Sequence, residues 1–258
     1  MDKKIFMKKS VLALSALTVL LALSLAPSTP LTMHPPRIHI RDSNSTNWSG
    51  YAVVTSLSSP QKGAVSDVQG SWIVPSVDVS VTPNAYSSFW IGIDGYSSNT
   101  VEQIGTDSDT SSGTPQYYAW YEMYPKYPVT LNMKVSPGDT MSAEVEYLGS
   151  NRFLLTITDV TTGATFSTTQ KSGSARRSSA EWIAEAPSSR SGVLPLADFG
   201  TVYFSGVQAT LNGHAGSLSD TAWQYDAITM TTSSGTIKAQ PSSPPSGGTG
   251  FSVTWYHQ

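Results

Sequence analysis

Short alternating runs of apolar and polar residues dominate the chain from residue 47 onward. The runs are 5 to 10 residues long and are separated by Gly, Pro, Asn, Asp and Ser, which favour turns. No stretch beyond residue 46 keeps an apolar period of 3.6 residues over three turns. The pattern predicts an all-β single domain, a sandwich of two antiparallel sheets. The predicted strands cover residues 50–56, 67–74, 87–93, 116–124, 140–147, 153–160, 201–211, 228–232 and 251–256.

The first 46 residues differ from the rest in composition. Residues 1–26 begin with four lysines and end in an apolar run that is too short, and too soon followed by prolines, for a membrane span. We therefore expect a signal peptide over 1–26 and a secreted, extracellular product. Residues 27–46 are rich in Pro, Ser, Thr and Arg, which predicts a short flexible or pro-segment. The β-sandwich domain is expected over 47–258, with a long loop over 233–250 before the closing strand.

Charge and composition narrow the choice of partners. The chain has no cysteine, and its formal net charge of −3 becomes −6 once residues 1–26 leave with four lysines and one aspartate. This acidic balance argues against nucleic acid, and we expect a monomer without membrane contact after signal removal. Only 13% of the residues are charged. Few Lys and Arg limit repulsion at acid pH, so the composition suits acidic surroundings. A secreted surface rich in Ser and Thr explains the low charge equally well.

Three predicted strand segments each present aromatic residues or carboxylates on one face. Side chains alternate across a strand, so residues of the same parity share a face. Such faces can hold an extended polymer by apolar contact while presenting acids to it. The alternative is that the aromatic residues pack within the sheets and the glutamates are solvated. The faces are formed by Trp90, Gly92 and Asp94, by Tyr118, Trp120, Glu122 and Tyr124, and by Glu181 and Glu185.

The residue types that most often carry catalysis are nearly missing from the body of the chain. Of the four histidines only His214 lies away from the chain ends, and its neighbour Gly213 predicts a surface turn. No His or Cys cluster is present, so neither a metal site nor a cofactor is expected. An amide and a carboxylate must therefore carry any catalysis, and the strand-like segments 100–105 and 180–185 contain such groups.

Seven short stretches together resemble the glutamic peptidases, or eqolisins, a family of acid endopeptidases. They occur in the family's order over nearly the whole chain beyond residue 46. Each stretch alone is weakly specific, but the set is strong. The stretches are NWSGY at 47–51, GSWIVP at 70–75, WIGIDG at 90–95, EQIG at 102–105, AWYEMYP at 119–125, AEWIAE at 180–185 and LPLADFG at 194–200.

The resemblance implies a sandwich of two curled antiparallel sheets, concanavalin-like or jelly-roll-like, with a catalytic Gln and Glu on its concave face. By motif the pair is Gln103 and Glu185. Glu181 shares the predicted face of Glu185, and spacing alone does not separate the two glutamates. Proteins or peptides are the implied substrates. The residues implied to bind substrate or to support the pair are Trp48, Trp90, Asp94, Trp120 and Glu122.

The implied chemistry is hydrolysis of peptide bonds by an acid endopeptidase. Glu185 as a carboxylate takes a proton from the attacking water, and the amide of Gln103 donates to the oxyanion. A base that works at about pH 3 to 4 requires a Glu185 pKa at or below the ordinary value of about 4.3. Two alternatives stay open. One is a glycosidase with Glu122 and Glu185 as its carboxylate pair, and the other is a non-catalytic module that binds polysaccharide or peptide.

Overall fold

The computed structural model describes residues 43–258, so the predicted signal peptide and most of the predicted 27–46 segment lie outside the described residues. This part of the chain forms eighteen strands and no helix. No helix within residues 43–258 is therefore long and apolar enough to cross a membrane. The expectation of an all-β fold is confirmed.

The strands form a sandwich of two antiparallel sheets. Sheet I contains, in spatial order, β10 (Thr165–Lys171), β9 (Arg152–Asp159), β8 (Thr140–Tyr147), β3 (Val65–Ile73), β14 (Thr201–Leu211), β18 (Gly250–Trp255) and β17 (Ile237–Pro241). Sheet II contains β2 (Trp48–Val54), β11 (Ser179–Glu185), β4 (Ser88–Ile93), β5 (Val101–Ser111), β6 (Thr114–Tyr124) and β7 (Val129–Lys134).

One strand, β16 (Gln224–Thr231), connects the two sheets. Its first part pairs with β2 of sheet II, and its last two residues pair with β17 of sheet I. Three shorter additions complete the fold: β1 (Asn44–Ser45) runs parallel to β16, β15 (His214–Ser217) pairs with β14, and β12 (Ser188–Ser189) forms a hairpin with β13 (Gly192–Val193).

The main hydrophobic core fills the space between the sheets. Trp72 of sheet I and Phe89, Ile104 and Trp182 of sheet II are all fully buried members of it. Buried indoles need a partner for their N–H group. Trp72 Nε1 donates to the Thr106 hydroxyl at 2.9 Å, and Trp182 Nε1 donates to a backbone carbonyl at the same distance. The core therefore buries large aromatic rings without leaving these donors unsatisfied.

Sheet II also buries much of its other face, the one turned away from sheet I. A second cluster of buried residues lies there, and the connection between β4 and β5 contributes Tyr96 to it. As a result β2, β4 and β11 are buried at every position. The cluster consists of Trp48, Ala52, Val54, Trp90, Tyr96, Val101, Trp120, Ile183 and Ile228.

Several strands were not predicted from the sequence. The edge strand β10 is mostly polar, and every residue of it is exposed or half-buried, so it shows no continuous apolar face. The edge strand β7 does alternate apolar and polar residues, but over six positions only, and was missed. The prediction of an uninterrupted loop over 233–250 was wrong, because β17 forms within it and pairs with both β16 and β18. At the other end, β1 precedes the predicted domain start at residue 47, so the fold includes residues assigned to the 27–46 segment.

Candidate active site

All of the predicted site residues except Asp94 lie on the face of sheet II turned away from sheet I, here called the site face. Strand register places Glu185 opposite both Trp48 on β2 and Ser88 on β4. It places Gln103 opposite both Gly92 on β4 and Glu122 on β6. The odd positions of β5 and the even positions of β4 and β6 point the same way, as residue parity predicts.

Gln103 and Glu122 form a direct hydrogen bond. The Gln103 amide donates from Nε2 to Glu122 Oε2 at 2.6 Å, and the two side chains are 2% and 1% exposed. Burial raises the pKa of Glu122 well above its usual range, and the charge of Glu185 adds to this. The hydrogen bond from Gln103 opposes the rise. The bond fixes the amide with its NH₂ group toward Glu122.

Glu185 accepts one hydrogen bond on each carboxyl oxygen. Asn47 donates from Nδ2 to Oε1 at 3.0 Å, and Trp90 donates from Nε1 to Oε2 at 2.7 Å. Both donors, together with the nearby Trp48 indole, favour the carboxylate and lower the pKa. Burial outweighs them, and the Asp107 charge adds to it, so the pKa of Glu185 rises to about 8. The expected pKa at or below the ordinary glutamate value is therefore wrong for this enclosed geometry.

The Trp90 indole lies between the two predicted catalytic residues. Its Nε1 contacts Glu185, while its Cζ3 edge lies over Gly92, the strand neighbour of Gln103. A Cβ atom on residue 92 would lie 3.2 Å from Trp90 Cζ3 and 3.0 Å from Gln103 Cβ, so glycine makes room for both side chains. Trp48 meets the Trp90 ring edge-on, with 5.0 Å between ring centroids. The aromatic pair thus fixes the ring that links the two residues.

A further pair of carboxyl groups, Asp107 and Asp109, lies on the site face and was not predicted. Both share the parity of Gln103 on β5, which was the sequence signal for them. Trp120 Nε1 donates to Asp107 Oδ1, and the Tyr118 hydroxyl donates to Asp109 Oδ2 at 2.8 Å. Burial raises the pKa of Asp107 to about 6, despite its hydrogen bonds, and raises that of Asp109 well above its usual range. Trp120 therefore donates a hydrogen bond to the Asp107 carboxyl group as well as packing on the sheet.

Asp94 does not join these residues on the site face. It follows the last residue of β4 in a left-handed conformation, with φ of 73°, which breaks the alternation of the strand. Its Oδ2 accepts the backbone N–H groups of Arg176 and Arg177 at 2.7 and 2.6 Å, and its Oδ1 accepts that of Ser178 at 2.9 Å. The carboxylate therefore holds the loop that leads into β11.

Glu181 shares the face of Glu185 but is enclosed by the connection between β4 and β5. The Tyr96 backbone N–H donates to Glu181 Oε1 at 3.3 Å, and the side chain is fully buried. Burial raises its pKa well above the usual range, and the charges of Asp94 and Glu102 contribute. The charge of Glu185, by contrast, raises the pKa of Glu122. Register places Glu181 opposite Gly92, which also pairs with Gln103, so enclosure by the connection between β4 and β5, and not distance across the sheet, distinguishes Glu181 from Glu185.

The site therefore combines an amide donor, several buried carboxyl groups and two indole donors. Such a set can activate a water molecule and stabilise a developing oxyanion. Within residues 43–258 no group of three or more His, Cys, Asp or Glu side chains is arranged to hold a metal ion. His214 lies elsewhere, on the surface, where its Nε2 is 3.1 Å from Asp220 Oδ2.

Comparison with known proteins identifies the family. The model of the Peptidase A4 family matches residues 46–255. Aspergillopepsin-2 of Aspergillus niger is 29% identical over 192 residues, which is 66% of this chain and 66% of its own, so the match spans just under two thirds of that relative. The range matched by the family model includes the site face and both sheets.

Solved structures give the same result. Scytalido-glutamic peptidase, solved with a transition state analog inhibitor, is similar with a TM-score of 0.69 and 26% identity. SCP-B, an eqolisin peptidase solved with the tripeptide Ala-Ile-His, is similar with a TM-score of 0.65 and 25% identity. Each alignment covers 82% of this chain and 98% of the other. The chain is therefore a peptidase and belongs to the Peptidase A4 family, the eqolisin or glutamic peptidases.

Proposed function

We propose that this protein is a secreted acid endopeptidase in which Gln103 and Glu185 form the catalytic pair. The observation that supports the pair most is its geometry around Trp90. One end of that indole lies over Gly92, the strand neighbour of Gln103, and the other donates to Glu185. Similarity to a glutamic peptidase solved with a transition state analog inhibitor, and to an eqolisin solved with a tripeptide, supports a peptide ligand on this face.

Glu185 is the general base of the proposed reaction. Its carboxylate takes a proton from a water molecule, and the water oxygen attacks the scissile carbonyl carbon. The protonated Glu185 then gives the proton to the leaving nitrogen as the C–N bond breaks. Each general acid or base step of this kind contributes about 10²–10⁴ in rate. The water also donates a hydrogen bond to Glu185, which favours the carboxylate against the effect of burial.

Gln103 stabilises the oxyanion. A side-chain amide nitrogen carries two hydrogens, and in this structure one of them is directed to Glu122 Oε2. The second is free for the oxygen that becomes negative as water adds to the carbonyl. Removal of one such donor typically costs about 10²–10³ in rate. Since an amide does not titrate, this donor is present at any acidity.

The carboxyl groups around the pair support an acidic working range. Glu122 and Asp107 lie close enough for their charges to disfavour ionisation within the group. No Lys or Arg of residues 43–258 lies within 4.0 Å of either carboxylate to offset that charge. Buried carboxylates without a cation are disfavoured, so the face tolerates few negative charges. At acid pH most of these groups are neutral, so the proposed base requires that the bound water and the donors on both oxygens of Glu185 lower its pKa from the value of about 8 in the enclosed geometry.

Hydrolysis by the secreted protein tests the proposed class of activity. The full chain is expressed with its leader, and the protein from the medium is incubated with a denatured protein substrate between about pH 2 and 7. We expect internal cleavage on the acid side that pepstatin does not inhibit, from a monomer in an extracellular, acidic setting. Cleavage only near neutral pH, inhibition by pepstatin, or retention of the protein inside the cell would contradict the respective part of the proposal.

A further inference from the structure

The orientation of Asn47 is set by a single hydroxyl group, that of Ser45. The Ser45 oxygen accepts the backbone N–H groups of Asn47 at 3.2 Å and Trp48 at 3.0 Å. A serine hydroxyl has two acceptor positions and one donor hydrogen. With both acceptor positions occupied, its hydrogen is directed to Asn47 Oδ1, 3.0 Å away.

This contact decides which end of the amide faces Glu185. Because Asn47 Oδ1 is bound to the Ser45 hydroxyl, its Nδ2 group faces Glu185 Oε1 at 3.0 Å. The opposite orientation would set two oxygens against each other at Glu185 and two hydrogen-bond donors against each other at Ser45. Ser45, Asn47 and Glu185 are 6%, 0% and 2% exposed, so water does not substitute freely for either bond. The hydroxyl therefore keeps a donor on Glu185.

Strand β1, which carries Ser45, is held by contacts that are distant in sequence. Asn44 and Ser45 pair with residues 229 and 230 of β16. Ser43 donates to the buried carboxyl of Asp226 from both its backbone N–H, at 3.2 Å, and its hydroxyl, at 2.6 Å. The Tyr96 hydroxyl donates to the same carboxyl at 2.9 Å. The strand that connects the two sheets thus fixes the position of Ser45.

We propose that Ser45 is a positioning residue for Glu185, acting through the Asn47 amide, and that β1 is therefore part of the active site. The inference rests on the proposed role of Glu185 as general base. It assigns a function to residues 43–46, which the sequence placed in the segment before the domain. Maturation must leave these residues in place, since a cut after residue 46 would remove the hydroxyl that orients Asn47.

The charged neighbours of Glu185 determine what loss of the hydroxyl does. Asp107 on β5 and Glu122 on β6 are the acidic groups coupled to it, while Trp48 on β2, Trp90 on β4 and Asn47 favour its charge. If the Asn47 amide turns, an oxygen replaces a donor at Oε1. The carboxylate then loses one stabilising contact beside two acids, so ionisation of Glu185 requires a higher pH.

The test uses two variants of equal shape in the full secreted chain, Ser45→Thr and Ser45→Val. They differ by one hydroxyl group, so steric effects at this site are common to both. The profile of kcat/KM against pH is measured for each. We expect the profile of Ser45→Thr to follow that of the wild type. In Ser45→Val the acid side of the profile should lie about one pH unit higher, as loss of a hydrogen bond to a charged group predicts.

Ser49→Ala is the matched control. Ser49 is a fully buried serine four residues along the chain, and its hydroxyl has no hydrogen-bond partner among the described residues. Its profile should superimpose on that of the wild type. The proposal would be overturned if Ser45→Thr and Ser45→Val had equal profiles. It would also be overturned if the acid side of the profile shifted in Ser49→Ala as far as in Ser45→Val. Glu185→Gln separates the proposed catalytic pair from the proposed role of Ser45. If Glu185→Gln is active, the catalytic pair is wrong. If it is inactive while the two Ser45 variants have equal profiles, only the positioning role is wrong.

Discussion

Trp90 donates a hydrogen bond of 2.7 Å from its indole to Glu185, while the far edge of the same ring covers the glycine next to Gln103. One side chain thus contacts the proposed base and borders the proposed oxyanion donor. Its T-shaped contact with Trp48 restricts its movement. Packing therefore links the two proposed catalytic roles.

Replacement of Trp90 by Phe should shift the acid limb of the activity profile to higher pH. The variant keeps most of the ring but removes the N–H group on Glu185. A hydrogen bond to a charged group contributes about 1.5–3 kcal/mol, which corresponds to roughly one to two pKa units. Because the bond favours the carboxylate, its loss raises the Glu185 pKa. The measurement is kcat/KM against pH, with Trp223→Phe as control because that indole donates to the Leu218 carbonyl instead. An acid limb that stays in place would argue against Glu185 as the base.

Asp107→Asn should move the acid limb of the activity profile to lower pH. The charge on Asp107 raises the pKa of Glu185, so a neutral amide of similar size lowers that pKa. Activity should then persist to lower pH than in the wild type. Asp198→Asn, in the loop before β14, is the control for a general change in net charge. A limb that moves to higher pH, or equal profiles for both variants, would be inconsistent with the proposed coupling.

Glu122→Gln should extend activity toward neutral pH. Glu122 has a raised pKa and takes up negative charge beside Glu185 only as the pH rises. The amide still accepts the hydrogen bond from Gln103 through its oxygen but adds no charge. We expect the alkaline limb of kcat/KM to shift upward, with maximal kcat within about tenfold of the wild type. Glu122→Ala removes the acceptor as well and should lower kcat, because the Gln103 amide is then no longer oriented. Equal alkaline limbs in Glu122→Gln and the wild type would rule out this role.

Glu102→Gln should increase stability near neutral pH and leave stability in acid unchanged. Glu102 is fully buried, and neither carboxyl oxygen has a hydrogen-bond partner among the described residues that meets ordinary distance and angle limits. Burial, then the charge of Asp94, raises its pKa well above the usual range. Its contribution to stability is therefore complete below the unfolded-state pKa and is lost as pH rises toward the folded-state pKa. Thermal unfolding from about pH 3 to 8 should show converging Tm values in acid and a higher Tm for the variant near neutrality. Equal values throughout would contradict the assignment.

Strand parity accounts for much of the site that could be predicted. Trp90, Trp120 and Glu122 were expected on the faces where they lie, because alternation along a strand fixes the direction of each side chain. The pairing of those strands is a long-range property, so Gln103 and Glu185 were joined by family motifs and not by spacing. Asp107 and Asp109 share the parity of Gln103 on β5, but they belong to no recognisable motif.

The residues that were missed depend on contacts between distant parts of the chain. Ser45 and Asn47 reach Glu185 only because β1 is held on β16, and the Ser43 contact with Asp226 spans 183 residues. Asp94 departs from the predicted face because a left-handed residue ends the alternation there. The polar edge strand β10 lacks a continuous apolar face, so its pairing with β9 alone reveals it, whereas the short alternation of β7 was a signal in the sequence that was missed.

The pair of variants Glu185→Gln and Glu181→Gln tests the proposed catalytic pair most directly. Both glutamates lie on β11, share a face and are buried, so the substitutions are equal in chemistry and similar in surroundings. Each secreted variant is assayed for hydrolysis of a denatured protein substrate at acid pH, with Tm measured to verify folding. We predict that Glu185→Gln loses activity by a factor of about 10² or more, whereas Glu181→Gln retains it. Activity in a folded Glu185→Gln variant, or its loss in Glu181→Gln alone, would contradict the assignment of Glu185 as the base.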